Sequence, residues 1–107
     1  MAIPVIAYVR FPKPSDWDEE KLFAKFVDTA PLYHDVDGLM RKDYHYDPTT
    51  GLCGGLYFWD DEAKARAFHQ GMWLERLAAN YGAEPEITWL QIPVTADGEN
   101  AKTIDRR

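Results

Sequence analysis

The sequence is poor in the residue types that announce cross-links, ligand cages or membrane spans. It has one cysteine, Cys53, which excludes an internal disulfide and suits a reducing cytoplasm. Its only serine, Ser15, reads as a helix cap, so a serine nucleophile is not expected. The three histidines, His34, His45 and His69, form no HxxxH or HExxH pair, and Cys53 has no cysteine partner. That argues against a metal site. Gly54-Gly55 is an adjacent pair inside an apolar run, without the spacing or the following helix of a phosphate loop. Neither metal, haem, flavin nor nicotinamide is therefore expected as a cofactor. No run approaches the roughly 20 apolar residues of a membrane helix. Met1 to Phe11 lacks the basic start and long apolar run of a secretory signal. Basic residues are outnumbered, 12 Lys+Arg against 18 Asp+Glu, and a net charge of −6 repels phosphate backbones. A cytoplasmic protein with neither nucleic acid nor membrane as partner is the expectation.

What is present suits one globular domain spanning 1–107. A hydrophobic fraction of 46% and an aromatic fraction of 14% exclude intrinsic disorder. Ile3 to Phe11 reads as a strand with apolar residues on both parities, hence covered on both faces. Pro12-Lys13-Pro14 stops it. Ser15 sits where an N-cap belongs, acids follow, and Leu22, Phe23, Phe26, Val27 and Ala30 recur at helical spacing, which predicts a helix over 16–30. Leu39 to Tyr46 and Leu52 to Trp59, joined by Asp47-Pro48-Thr49-Thr50-Gly51, read as an antiparallel hairpin. A second helix is capped by Asp60 or Asp61, ends at Gly82, and is a candidate for a break near Gly71. Its inward face is expected to run through Ala63, Ala67, Phe68, Leu74, Leu77, Ala78 and Tyr81. Glu86 to Ile92 is a last strand, and 93–107 reads as an arm or frayed tail.

The order is strand, helix, strand, strand, helix, strand. That pattern predicts an α+β, ferredoxin-like βαββαβ sandwich with an antiparallel sheet and both helices on one face. The other face would expose aromatic residues. A homodimer packing two sheets face to face, with the first and last strands and part of the arm at its interface, resolves this.

Gly38-Leu39-Met40-Arg41-Lys42-Asp43-Tyr44, Gly54-Gly55-Leu56-Tyr57-Phe58-Trp59, and Tyr81-Gly82-Ala83-Glu84-Pro85-Glu86-Ile87 together resemble the YdhR-like monooxygenase family. So do the Ala-rich start of the second helix and the closing Pro93-Val94 with Asp97. The resemblance covers about Ile3 to Asp97. It implies the dimeric α/β-barrel superfamily, which holds cofactor-free monooxygenases of polyketide quinols, small cyclases and proteins of unknown role. It transfers no catalytic motif, because a shared fold does not carry chemistry with it.

The expected function is a cofactor-independent monooxygenase-type reaction on a small aromatic or polyketide-like molecule. The alternative is a non-catalytic protein binding a small hydrophobic or aromatic ligand in the same cavity. Such an oxygenase needs a base to form a phenolate or enolate, an aromatic-walled pocket and a proton donor. His34 at the end of the first helix, with Tyr44 and Tyr57 of the hairpin, are the candidate catalytic residues. Trp73 offers a flat wall, and Arg41 or Lys42 an anion anchor, although both cations also suit pairing with acids. Pairing Tyr46 with Leu52 would place Tyr44 and Tyr57 on opposite faces, and a slip of one residue would change which of them lies under the helices. Gly54-Gly55 fits either sheet curvature or a close approach. His45 and His69 are expected to be exposed.

Overall fold

A computed structural model describes residues 3–107. The main sheet has four antiparallel strands: β1 (Val5–Pro12), β2 (Leu39–Tyr46), β3 (Leu52–Trp59) and β4 (Glu86–Gln91), in the order β2-β3-β1-β4. Helices α1 (Glu19–Thr29), α2 (Glu62–Phe68) and α3 (Met72–Tyr81) connect them, with a 3₁₀ turn over Ala30–Tyr33 after α1. A small α+β architecture of this kind is compatible with a ferredoxin-like fold. None of the helices is long and apolar enough to cross a membrane.

Alternation along β1 sorts its side chains. Val5, Ala7, Val9 and Phe11 are buried, while Ile6, Tyr8 and Arg10 between them are half-buried on the other face. The buried set joins Leu22 and Phe26 of α1, Ala65 of α2, Trp73 and Leu77 of α3, and Cys53, Tyr57 and Trp59 of β3 in one core. Each such large apolar side chain contributes roughly 1.5–3 kcal/mol on burial. Leu22, with no exposed surface, is one whose truncation to Ala would cost about 2–5 kcal/mol. Ile6, Tyr8, Leu56, Phe58 and Leu90 lie on the opposite face, which no helix covers.

Several expectations need correction. The first helix begins later than its polar start suggested. Ser15 lies in a turn, and Asp18 is the N-cap, its Oδ1 accepting from the Lys21 amide at 2.8 Å. The second helix is two helices. Gly71, at φ +57°, takes a conformation that suits glycine and separates α2 from α3. The break re-phases the inward face, so Ala65 and Trp73 are buried while Ala63, Ala67 and Ala78 are exposed. The tail is not frayed: Val94–Asp97 (β5) and Lys102–Asp105 (β6) form a separate antiparallel hairpin. Pairing there satisfies the backbone groups that the two strands turn toward each other, without the main sheet.

The hairpin register also differs by one residue from the simplest reading. Tyr46 pairs with Cys53 rather than Leu52, so Tyr44 lies opposite Gly55 and Lys42 opposite Tyr57. The turn absorbs the extra residue at Gly51, at φ +76°, with the Gly51 amide donating to Asp47 O and the Asp47 amide to Leu52 O. Opposed residues share a face, so Lys42, Tyr44, Gly55 and Tyr57 all lie on the helix-covered side.

Candidate functional site

Between that side of the sheet and the helices lies a small cavity of ≈ 50 Å³ that opens to solvent on one side. Phe11, Lys42, Tyr44, Gly55 and Tyr57 form its floor; Phe26, Thr29, Leu32 and Tyr33 close one side, and Trp73, Arg76, Leu77, Asn80 and Tyr81 the other. Among the described residues that line it, none is acidic. In a chain with a net charge of −6, that is a local inversion of sign.

Lys42 is the centre of the site. Its Nζ lies 3.8 Å from the Tyr33 ring centroid, 3.9 Å from that of Tyr44 and 4.6 Å from that of Tyr57. Among the described residues it has neither a hydrogen-bond acceptor nor a carboxylate partner. Burial, with the like charge of Arg76, lowers its pKa from 10.5 to about 7. The tyrosines supply no counter-charge. Burial pushes Tyr44 up to about 12 and Tyr57 well above its ordinary value, so both remain phenols at neutral pH. Tyr44 shares a 2.9 Å hydroxyl hydrogen bond with Thr29, which orients its ring against Phe26.

Gly55 explains how the lysine fits. A Cβ there would come within 2.7 Å of Lys42 Cε and 2.8 Å of a Tyr57 ring carbon. Gly54 serves the backbone instead: at φ +154°, its missing Cβ would run into the Val9 carbonyl. Of the two readings of this pair, close approach is the one that describes both positions.

Behind Tyr57 lies a second buried polar group. His69 is 6% exposed, with its ring 4.5 Å from Tyr57 and 4.4 Å from Trp73. Its expected exposure is thus corrected: the α2 C-cap backbone, at φ −83° and ψ 50°, leaves the helical path and turns the ring inward. Trp59 Nε1–H donates to His69 Nε2 at 3.1 Å, so Nε2 is unprotonated. Burial first, then Lys42, lowers its pKa to about 3. His69 Nδ1 and Trp73 Nε1 are buried without partners among the described residues. His45 is half-buried and Nε2–H donates to Val9 O at 2.8 Å on the uncovered face.

Of the six residues the sequence singled out, four converge. Lys42, Tyr44, Tyr57 and Trp73 line the one cavity. His34 does not: it is exposed at the C-cap of the 3₁₀ turn, which directs its neighbour Tyr33 into the cavity instead. Arg41 does not either. It lies on the uncovered face, stacked 4.3 Å from Phe58 and paired with Asp43 at 3.3 Å. Alternation puts adjacent strand residues on opposite sides, so only Lys42 of this pair faces the cavity. The second cation there is Arg76, which the sequence reading missed. Its spacing carried the signal: 73, 76, 77 and 80 fall on one helical face. Cys53 is buried, and burial pushes its thiol up to about 11, which makes it inert. Among the described residues no cluster of His, Cys, Asp and Glu has the geometry to hold a metal. No family model matches the chain, and no curated protein matches it significantly.

Proposed function

We propose that the protein is a cofactor-independent, monooxygenase-type enzyme acting on a small aromatic or polyketide-like molecule with an acidic phenol or enol. The observation that carries this reading is Lys42: a half-buried amine without a counter-ion among the described residues, in an aromatic cavity lined by no acid. An amine whose pKa is about 7 accepts a phenolic or enolic proton at neutral pH. The resulting ammonium and Arg76 then stay beside the developing anion in a water-poor site, where such charges act strongly. The electron-rich anion reduces dioxygen: a ring CH₂ plus O₂ becomes a carbonyl and water, with no other oxidant. The un-ionised phenols of Tyr44 and Tyr57 are proton donors for the departing oxygen.

A second reading, non-catalytic binding of the same ligand class, is favoured by the exposure of His34 and by the lack of any His, Asp or Glu in the cavity lining. One experiment separates them. Dioxygen uptake with anthrones, abolished by Lys42→Met, supports the enzyme. Saturable binding of those compounds without oxygen uptake supports the carrier. Absence of binding sinks both.

The same reading places the domain in the ferredoxin-like βαββαβ class, as a homodimer. The strand order suits it, and Ile6, Tyr8, Leu56, Phe58 and Leu90 are a ready apolar face. The β5–β6 hairpin is an arm able to reach a partner. A free buried thiol suits a cytoplasmic protein. Sedimentation equilibrium at micromolar concentration should show twice 12.3 kDa; a monomer would refute the dimer.

A further inference from the structure

A half-buried ammonium set away from carboxylates is unusual in a chain with 18 acids. If Lys42 served only to hold an anion, an arginine would keep its charge in that site without titrating. Lysine differs from arginine in having a nucleophilic lone pair once deprotonated. A lysine becomes such a nucleophile when it is desolvated by apolar walls and placed near a second cation. Both conditions are met here, by the three tyrosine rings and by Arg76. The cavity beside the amine is small, ≈ 50 Å³, and opens to solvent through its mouth, into which a bound ring would extend.

We infer that Lys42 is a covalent site: its amine condenses with the carbonyl of a small aromatic aldehyde or ketone seated against Trp73 and the tyrosines. This goes beyond the oxygenase reading and needs neither dioxygen nor proton abstraction from the ligand. The nitrogen lone pair attacks the carbonyl carbon, giving a carbinolamine. That adduct expels its hydroxyl as water, which carries away both amine hydrogens, and a C=N bond remains. Protonation makes it an iminium ion. The Tyr33, Tyr44 and Tyr57 faces that surround the nitrogen suit this weakly hydrated cation as well as they suit an ammonium. The charged or titratable groups facing the amine are those three phenols, Arg76 and, behind Tyr57, His69. None is a carboxylate that would keep the amine protonated.

The test is reductive trapping. The full chain is incubated at pH 7 with limiting benzaldehyde and sodium cyanoborohydride, and the benzylated lysines are mapped by peptide mass spectrometry. An amine at pKa about 7 is half deprotonated at this pH. Even after its lower intrinsic nucleophilicity is allowed for, its labelling should exceed that of an ordinary exposed lysine by about tenfold or more. Lys21, Lys64 and Lys102, all exposed, are the internal controls. The preference should vanish in urea, because it belongs to the folded cavity. Arg76→Gln, at an exposed helix position, should reduce Lys42 labelling several-fold at pH 7 and less at pH 9. Labelling spread evenly over the surface lysines of the folded protein, with Lys42 unmodified, overturns the proposal. Trapping at Lys42 without oxygenase activity would leave it standing while removing the oxygenase.

Discussion

Replacing Lys42 with methionine should make the protein more stable at neutral pH, although it deletes the residue at the centre of the site. In the unfolded chain a lysine binds its proton up to a pH near 10.4. In the folded chain Lys42 gives it up at about 7. Between these values the unfolded state holds the extra proton, so stability rises with pH across that window and is lowest below pH 7. A fall from 10.5 to about 7, at ~1.4 kcal/mol per tenfold, sets a ceiling of roughly 5 kcal/mol. Residual solvent and the three π faces already act within that shift, so the penalty on the ammonium is of this order, about 3–5 kcal/mol. Methionine keeps the unbranched apolar stem in the gap under Gly55 and never titrates.

Urea denaturation of both proteins at pH 6, 8 and 10 measures this directly. At pH 6 Lys42→Met should gain about 3–5 kcal/mol, equivalent to a Tm rise of more than about 10 °C for a domain of this size. By pH 10 most of the gain should have gone, because the wild-type amine is then neutral in the fold at little remaining expense. A variant that is less stable than wild type by the same amount at all three pH values would refute the reasoning. It would mean that the tyrosines hold Lys42 as a net stabilising cation, and both the proton acceptor and the nucleophile would lose their basis.

Two further outcomes follow from the buried polar groups and the close approach at β3. His69 protonates near 6.5 when unfolded but only at about 3 in the fold, so stability should fall as pH drops through 6.5 toward 3; His69→Gln, which retains an acceptor for Trp59, should shift the acid-unfolding midpoint downward by about half a pH unit or more, read by far-UV circular dichroism. An unchanged midpoint would show that His69 does not govern acid unfolding. Gly55→Ala forces a methyl against Lys42 Cε and the Tyr57 ring, so it should cost about 1–3 kcal/mol and weaken ligand binding in the cavity. A neutral result in thermal melts would mean the lysine stem moves aside freely.

Strand boundaries were readable in the sequence because each is local. Leu39–Tyr46 and Leu52–Trp59 are runs bounded by glycine and a Pro-Thr-Thr-Gly turn, and the structure keeps those ends. Side-chain direction was not readable, because it depends on how many residues the turn absorbs. Gly51 in a left-handed conformation shifts the pairing by one, and that single residue brings Tyr44 under the helices with Tyr57. A similar sensitivity hid His69. The break at Gly71 was legible, but a break also resets the helical phase before and after it, and the last residue of the first piece is the one turned inward. His34 misled for the opposite reason. A residue beside a cavity-lining position in a tight turn usually points elsewhere, and Tyr33 had already taken the inward place.

The polar residues found this way belong together. The Tyr57 ring stands between the Lys42 amine, 4.6 Å from its centroid, and the His69 ring, 4.5 Å away on T-shaped geometry. Charge on Lys42 disfavours charge on His69, and by reciprocity a protonated His69 would disfavour the ammonium. Of these two groups only Lys42 carries a charge at neutral pH, beside the permanent charge of Arg76 at the cavity wall. Phenols that stay un-ionised and a lining without acids give it nothing to pair with inside the protein. Under the two proposals a ligand would engage Lys42 either as an anion that keeps the proton on the amine or as a carbonyl that takes the amine's lone pair. Those two ligand classes predict opposite pH dependences. Binding of an anion weakens as pH rises through 7 and the ammonium is lost, whereas trapping of a carbonyl strengthens over the same interval. Measuring both with benzoate and with uncharged benzaldehyde on the same protein tests which state of Lys42 takes a ligand.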